Sequence, residues 1–338
     1  MSRTRVIVTR PEAWAALKSE SLDVLHVDIG RRLRNGQSAG DEMGSVATKS
    51  GAARLVRAFK KHRPDVFLFW VHFGTFGHEL LEKLRGIAPD CVFVHGSGNH
   101  VLNEHKVCWY IHKYHREIDA VLTSTTDEKR KRLFAKWVKY VGTLYTYGFD
   151  PGLFKAPSAP SSYDCFFGGG DSVSESKPNG RFKFSKFRHD LVTEVGRRHS
   201  LLLRGGGTWP EELGCKPGLR YADYFREMQK AKIVLGTYHD NLERRYSKRT
   251  VYGGASGRLF MTRYIPGMEL DFNRGEKNMV WFETVAEGLD LIRYYLDNSE
   301  EREAIAVKQR AHFVKHHSWE ARLRDFERLV PELLEVRR

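Results

Sequence analysis

Two glycine triplets stand where a chain could hold a phosphate: Gly168-Gly169-Gly170 follows YDCFF, and Gly205-Gly206-Gly207 follows LLLR. At a strand end, residues without side chains let backbone N–H groups and the start of the next helix approach an anion. Glycine is also the least strained turn residue, so either triplet alone is explained as readily by its turn. Two on one sheet strengthen the phosphate reading, with Gly169, Gly170, Gly206 and Gly207 as the candidate contacts. Basic residues surround them: Lys183, Lys186 and Arg188 in RFKFSKFRHD, and Lys248, Arg249 and Arg258 in RRYSKRTVYGGASGRLF. A departing nucleoside diphosphate gains negative charge, and a fixed Arg or Lys stabilises that charge more in the transition state than in the ground state. Arg249 and Lys186 suit that role, against the common alternative of a solvated basic helix face. No GxxxxGK[ST] occurs, so ATP hydrolysis of the P-loop kind is not indicated.

Candidate proton-transfer groups lie in the first half: His72 in FWVHFG, and His95 and His100 in VFVHGSGNHV. An imidazole titrating near the operating pH can take a proton from an acceptor hydroxyl. The chain has 15 histidines, so a structural or surface place is the ordinary expectation for any one of them. Basic clusters with aromatics nearby recur in the same half: Lys60, Lys61, His62 and Arg63; His112, Lys113, Tyr114, His115 and Arg116; and residues 129–132 with Phe134, Lys136 and Trp137. Lys and Arg could neutralise phosphates while aromatic rings stack on an extruded base. Lys113, Arg116 and His100 are the candidate acceptor contacts.

Short apolar runs rich in β-branched and aromatic residues alternate with helical patterns, which predicts a parallel α/β architecture. The expected strands of the first half are 5–8, 24–29, 65–71, 91–95, 120–123 and 140–144. Thr125-Thr126-Asp127-Glu128 reads as a capping box opening a helix to about Trp137. Three prolines in FDPGLFKAPSAPSSYD mark a linker, which puts the first domain at 1–150. A second alternation follows with strands at 163–167, 201–203, 232–235, 259–262 and 279–282, giving a domain at 151–317. Thr284 to Glu287 is a further capping box, and Trp319, Leu323, Phe326, Val330 and Leu333 share a helical face in the final segment, 318–338.

With 338 residues, the chain is long enough for two cores. Lys and Arg number 56 against 42 Asp and Glu, a net charge of +14 that favours nucleic acid, anionic glycans or phosphorylated small molecules as partners. No run approaches the length of a membrane-spanning helix and no signal segment opens the chain, so a cytosolic protein without membrane partners is expected. The four cysteines form no CxxC pair, so neither a zinc ribbon nor a disulfide framework is suggested.

YGFDPGLF, a strand ending in glycines, KFRHDL, RGGGTWP, YFREMQKAKIVLG, SKRTVYGGASGRLFMT, MELDF, GEKNMVWF, LIRYYLDNSEERE and HSWEARL occur in one order. That series resembles the CgeB-like glycosyltransferases, over roughly residues 65–329, and is similar to bacteriophage glycosyltransferases that decorate modified DNA bases. The resemblance implies a GT-B fold: two Rossmann-like domains facing a cleft, the donor nucleotide mainly on the C-terminal one, and a last helix crossing back. It implies a nucleotide-sugar donor, with UDP favoured, and no cofactor or catalytic metal, in keeping with the lack of an Asp-x-Asp pair. Arg249 matches the arginine of the family's R-x-x-E motif and Gly257 its following glycine, but Tyr252 stands where the glutamate would contact ribose. Nucleotide recognition would then fall to Glu276 or to stacking by Tyr252. The expected acceptor is a hydroxymethylated pyrimidine in DNA. The alternatives are a surface glycan, anionic polymer or protein, or a nucleic-acid-binding protein that has lost donor binding.

Overall fold

The computed structural model describes residues 3–9, 12–29, 49–69, 77–97, 111, 114–145, 147–171, 185–219, 221–238, 242–273, 276 and 278–337. The chain divides into two compact units, Met1–Thr146 with Trp319–Arg338, and Tyr147–Ser318. The helices used below are α1 (Lys49–His62), α2 (His78–Ile87), α3 (Glu128–Phe134), α4 (Ser185–Arg198), α5 (Tyr221–Met228), α6 (Lys248–Ala255), α7 (Met268–Asp271), α8 (Val285–Asp297), α9 (Ser299–His317) and α10 (Trp319–Glu335). Among the described residues no helix is long and apolar enough to cross a membrane.

In the first unit, β1 (Thr4–Val8), β2 (Leu22–His26), β3 (Val66–Phe69), β4 (Val92–Ser97), β5 (Ala120–Thr123) and β6 (Tyr140–Thr143) form a parallel sheet in the order β2-β1-β3-β4-β5-β6. Side chains alternate across a strand, so these apolar runs supply two buried faces. Ile7, Phe67, Phe69, Phe93 and Val121 pack with Leu55 and Phe59 of α1 and Leu81 and Leu84 of α2. Val6, Val8, Leu68, Val94 and Leu122 pack on the other side with Leu323, Phe326, Val330 and Leu333 of α10. The strand expected at 24–29 begins two residues earlier, because β1 pairs from Thr4 opposite Leu22. The helix expected to reach Trp137 ends at Phe134.

In the second unit, β7 (Tyr163–Gly168), β8 (Leu201–Gly205), β9 (Lys216–Pro217), β10 (Ala231–Gly236), β11 (Leu259–Arg263) and β12 (Val280–Phe282) run parallel in the order β12-β11-β10-β7-β8-β9. Counted from β7 this is 3-2-1-4-5-6, the dinucleotide-binding order, with the chain reversing its direction of travel across the sheet between β7 and β10. Phe167, Ile233, Leu235 and Met261 face Leu191 and Val195 of α4 and Ile292 of α8. Thr284 caps α8 by accepting the Glu287 N–H at 3.1 Å, while the Glu287 carboxylate accepts the Glu283 N–H at 2.8 Å. From α9, buried Gln309 accepts the Phe260 N–H at 2.9 Å and donates to the Phe260 carbonyl at 2.8 Å.

Candidate functional site

Open parallel sheets bind ligands outside the carboxyl ends of the strands where the strand order reverses. In the second unit that place lies at the ends of β7 and β10, and two arginines converge there. Arg188, in the first turn of α4, donates from Nε to Thr237 Oγ1 at 2.8 Å and from Nη1 to the Gly170 carbonyl at 3.1 Å. Arg249, in the first turn of α6, donates from Nε to the Gly168 carbonyl at 2.6 Å and from Nη1 to the Thr237 carbonyl at 2.9 Å. Both guanidiniums lie over the Phe167 ring, at 5.8 and 5.1 Å from its centroid. Tyr224 of α5 donates to the Gly168 carbonyl at 3.2 Å, and Trp209 Nε1 donates to the Gly169 carbonyl at 3.2 Å.

The electrostatics of this arrangement favour an anion. Arg188 is fully buried, and burial, reinforced by the neighbouring charge of Arg249, pushes its pKa well below the usual guanidinium range. Arg249 is held by neutral carbonyls and makes no salt bridge among the described residues. Two positive groups fixed in place by backbone oxygens, each at the start of a helix, suit a diphosphate, whose charge would relieve their mutual repulsion.

The glycine triplets serve this geometry by permitting close approach. A Cβ on Gly169 would overlap the Arg249 guanidinium, one on Gly205 would overlap the Gly169 carbonyl, and one on Gly207, at φ +98°, the Asp171 carbonyl. The Gly169 N–H is already committed to the Arg204 carbonyl at 2.8 Å, and the Asp171 N–H to the Gly206 carbonyl at 2.9 Å. At Gly169, therefore, the triplet supplies space for the guanidinium, and its N–H is spent within the sheet.

The other expected contacts scatter. Lys186 is 81% exposed and pairs with Asp190 one turn along α4 at 2.6 Å. Tyr252 is buried with its ring 5.1 Å from Phe154. Gly257, at φ +74°, packs against Pro157, and Arg258 donates to the carbonyls of Gln229 and Ala159. Glu276 is exposed, its N–H donating to Asn273 Oδ1 at 3.2 Å. In the first unit His95 lies on β4, only 2% exposed, with its ring 5.6 Å from Phe69. Arg116 is exposed. His72, His100, Lys113, Lys183 and His112 lie outside the described residues.

One expectation is corrected. Of the aromatics beside the basic clusters, Phe134 and Tyr114 are buried core residues that cannot receive an extruded base, while Trp137 is half-buried against the same cluster. Five residues near the arginines had no role in the sequence reading. Thr237 anchors both arginines, Arg188 through its hydroxyl and Arg249 through its carbonyl, and the carbonyl is a group that residue type does not reveal. Asp171, with its side chain 1% exposed, meets His189 Nδ1 at 3.0 Å and accepts from Thr208 Oγ1 at 3.2 Å, and His189 stacks on Trp209. The signals for these were the aspartate after the first glycine triplet, the H of KFRHDL and the TW of RGGGTWP.

Residues 188–328 match the family model described as glycosyl transferase-like. No curated protein matches the sequence. Among solved structures, the chain is similar to a sucrose-phosphate synthase from Thermosynechococcus elongatus, at 11% identity and a TM-score of 0.58 over 99% of this chain and 100% of that one. It is also similar to Anabaena HepE in complex with UDP and glucose, at 12% identity and a TM-score of 0.55 over 97% and 91% of the two chains. A third is an S. aureus TarM mutant in complex with fondaparinux, alpha-GlcNAc-glycerol and UDP, at 13% identity and a TM-score of 0.52 over 82% and 58%.

Proposed function

We propose that the chain is a glycosyltransferase of the GT-B type that uses a UDP-sugar whose diphosphate rests on Arg188 and Arg249, a reading supported by its fold and by the glycosyl transferase-like model that residues 188–328 match. The observation that carries this reading is the convergence of the two guanidiniums on Thr237, at the reversal of a 3-2-1-4-5-6 sheet. In the reaction the bond between the sugar's anomeric carbon and the diphosphate oxygen breaks, and the electron pair leaves with UDP. The acceptor hydroxyl oxygen bonds to that carbon and its proton passes to a base. Charge on the leaving diphosphate grows as the bond breaks, so preplaced arginines lower the barrier without rearranging. They supply at the diphosphate the positive charge that a metal ion supplies in other transferases, and no catalytic metal is part of the proposal.

Isothermal titration of UDP into the wild type and into Arg249→Ala tests the donor site. Binding in the wild type, weakened by about a hundredfold in the variant, follows from losing a charge-assisted contact of about 3 kcal/mol. Equal affinities would remove Arg249 from the site.

The proposed acceptor is a polyanion, and the finer proposal is DNA carrying a hydroxymethylated pyrimidine. The net charge of +14, the exposed Lys60, Lys61, Arg63, Arg116, Lys129 and Arg132, and the resemblance to phage enzymes support it. Burial of Phe134 and Tyr114 favours the second reading, an anionic glycan or polymer, since it withdraws two rings beside those charges from stacking. Nucleoside mass spectrometry after incubation with hydroxymethylated DNA and UDP-sugars separates the two. A hexose-sized gain establishes DNA; donor hydrolysis without a gain moves the acceptor to a glycan.

A further inference from the structure

His78, Glu82 and Glu117 of the first unit bring metal-ligating atoms within 4.8 Å of one another. His78 and Glu82 are one turn apart on α2 and so share a face, while Glu117 arrives from the segment that precedes β5. The segment is tied down: Arg85 donates to the Glu117 carbonyl at 2.8 Å, to Asp119 Oδ2 at 2.9 Å and to the Cys91 carbonyl at 2.6 Å. The same Asp119 oxygen accepts the Phe93 N–H of β4 at 2.8 Å. The His78 ring lies 4.6 Å from that of buried Tyr114, which limits its rotation. All three donors therefore project from anchored backbone.

The independent sign of a ligand is Glu117 itself. The residue is 8% exposed, its Oε1 lies 2.8 Å from His78 Nδ1, and its Oε2 is buried with no hydrogen-bond partner among the described residues. A buried carboxylate oxygen without a donor is costly, and a cation is the partner that a neighbouring imidazole and a second carboxylate would share with it. We propose that His78, Glu82 and Glu117 bind one divalent transition cation, with zinc the best match to one imidazole and two carboxylates. Zinc takes such nitrogen and oxygen ligands at about 2.0–2.2 Å, and three protein ligands leave a fourth position for water. The ion ties the start of α2 to the segment preceding β5. Because the site lies in the first unit, it stands or falls independently of the diphosphate reading.

The full chain, stripped with EDTA and dialysed, is titrated with zinc chloride in competition with a chromophoric chelator. One tight equivalent is expected, weakened about tenfold or more in Glu82→Gln and in His78→Ala, and unchanged in His316→Ala, which removes a histidine of a separate ring cluster. Glu82 is exposed, so its variant folds, and thermal unfolding in zinc rises for the wild type alone. Zinc binding as tight in Glu82→Gln and His78→Ala as in the wild type, or lost only in His316→Ala, overturns the assignment.

Discussion

Replacing Gly169 by alanine tests the arginine pair without removing a charge. The new Cβ would sit closer than 3.0 Å to Arg249 Nη2 and 3.2 Å from its Cζ. Contacts between such atoms settle at roughly 3.5 Å, so the guanidinium must move by about 1 Å. Gly169 does not occupy the left-handed region of φ, so its backbone accepts alanine, and the perturbation is the clash with Arg249 beside a 3.2 Å approach to the Phe167 ring. Arg249 yields poorly, because Nε and Nη1 are held by Gly168 and Thr237 at 2.6 and 2.9 Å, and a shift of about 1 Å carries both past useful hydrogen-bonding range. Each bond from a charged donor contributes about 1.5–3 kcal/mol. If the displaced fork loses one such contact to the diphosphate, UDP affinity falls about 10- to 100-fold at about 1.4 kcal/mol per decade. Calorimetric titration of UDP reads the affinity, and urea unfolding reports a stability loss of about 3–6 kcal/mol, the two internal bonds together. A folded Gly169→Ala protein with wild-type UDP affinity would refute the claim that Arg249's position matters to the donor.

Three further outcomes follow from packing and charge. Gln309→Leu leaves the N–H and carbonyl of Phe260 without their side-chain partners in the core, and urea denaturation should show a loss of about 2–4 kcal/mol. Thr284→Ala removes the cap of α8 at a cost of about 1 kcal/mol, read as a lower urea midpoint at unchanged slope. Burial, and then the charge of His316, lower the His312 pKa to about 4, whereas an unfolded histidine titrates near 6.5. The folded state thus binds fewer protons, so the wild type keeps this contribution above about pH 6.5 and loses stability as pH falls from there towards about 4. His312→Asn should flatten that decline between pH 6.5 and 4, and an unchanged slope would assign the loss to other groups.

The sheets were legible in the sequence because their strands are apolar and β-branched on both faces, a pattern that alternation and turn residues delimit. β9 was not, since Lys216 and Pro217 carry no such signal and join the sheet only through β8 at Arg204 and Gly205. The site was half legible. Arginines and glycines advertise themselves by type, so Arg188, Arg249 and the triplets could be singled out, while Thr237 contributes a backbone oxygen that every residue has. Lys186 and Arg188 differ by two positions on one helix, which turns them to different sides, and only the sheet beneath decides which side faces the strand ends. For Tyr252, motif alignment gives a position in the chain, while its surroundings, buried against Phe154, come only with the fold.

The first unit closes with α10, whose Leu323, Phe326, Val330 and Leu333 complete one of its two cores. During synthesis the segment Tyr147–Ser318 is contiguous and has all of its strands before α10 is made. The usual order, in which the N-terminal domain folds first as the chain emerges, is therefore inverted here. Until that helix leaves the ribosome, Val6, Val8, Leu68, Val94 and Leu122 lack the cover that Leu323, Phe326, Val330 and Leu333 supply, and a nascent chain stalled short of Trp319 presents a chaperone with an apolar sheet surface.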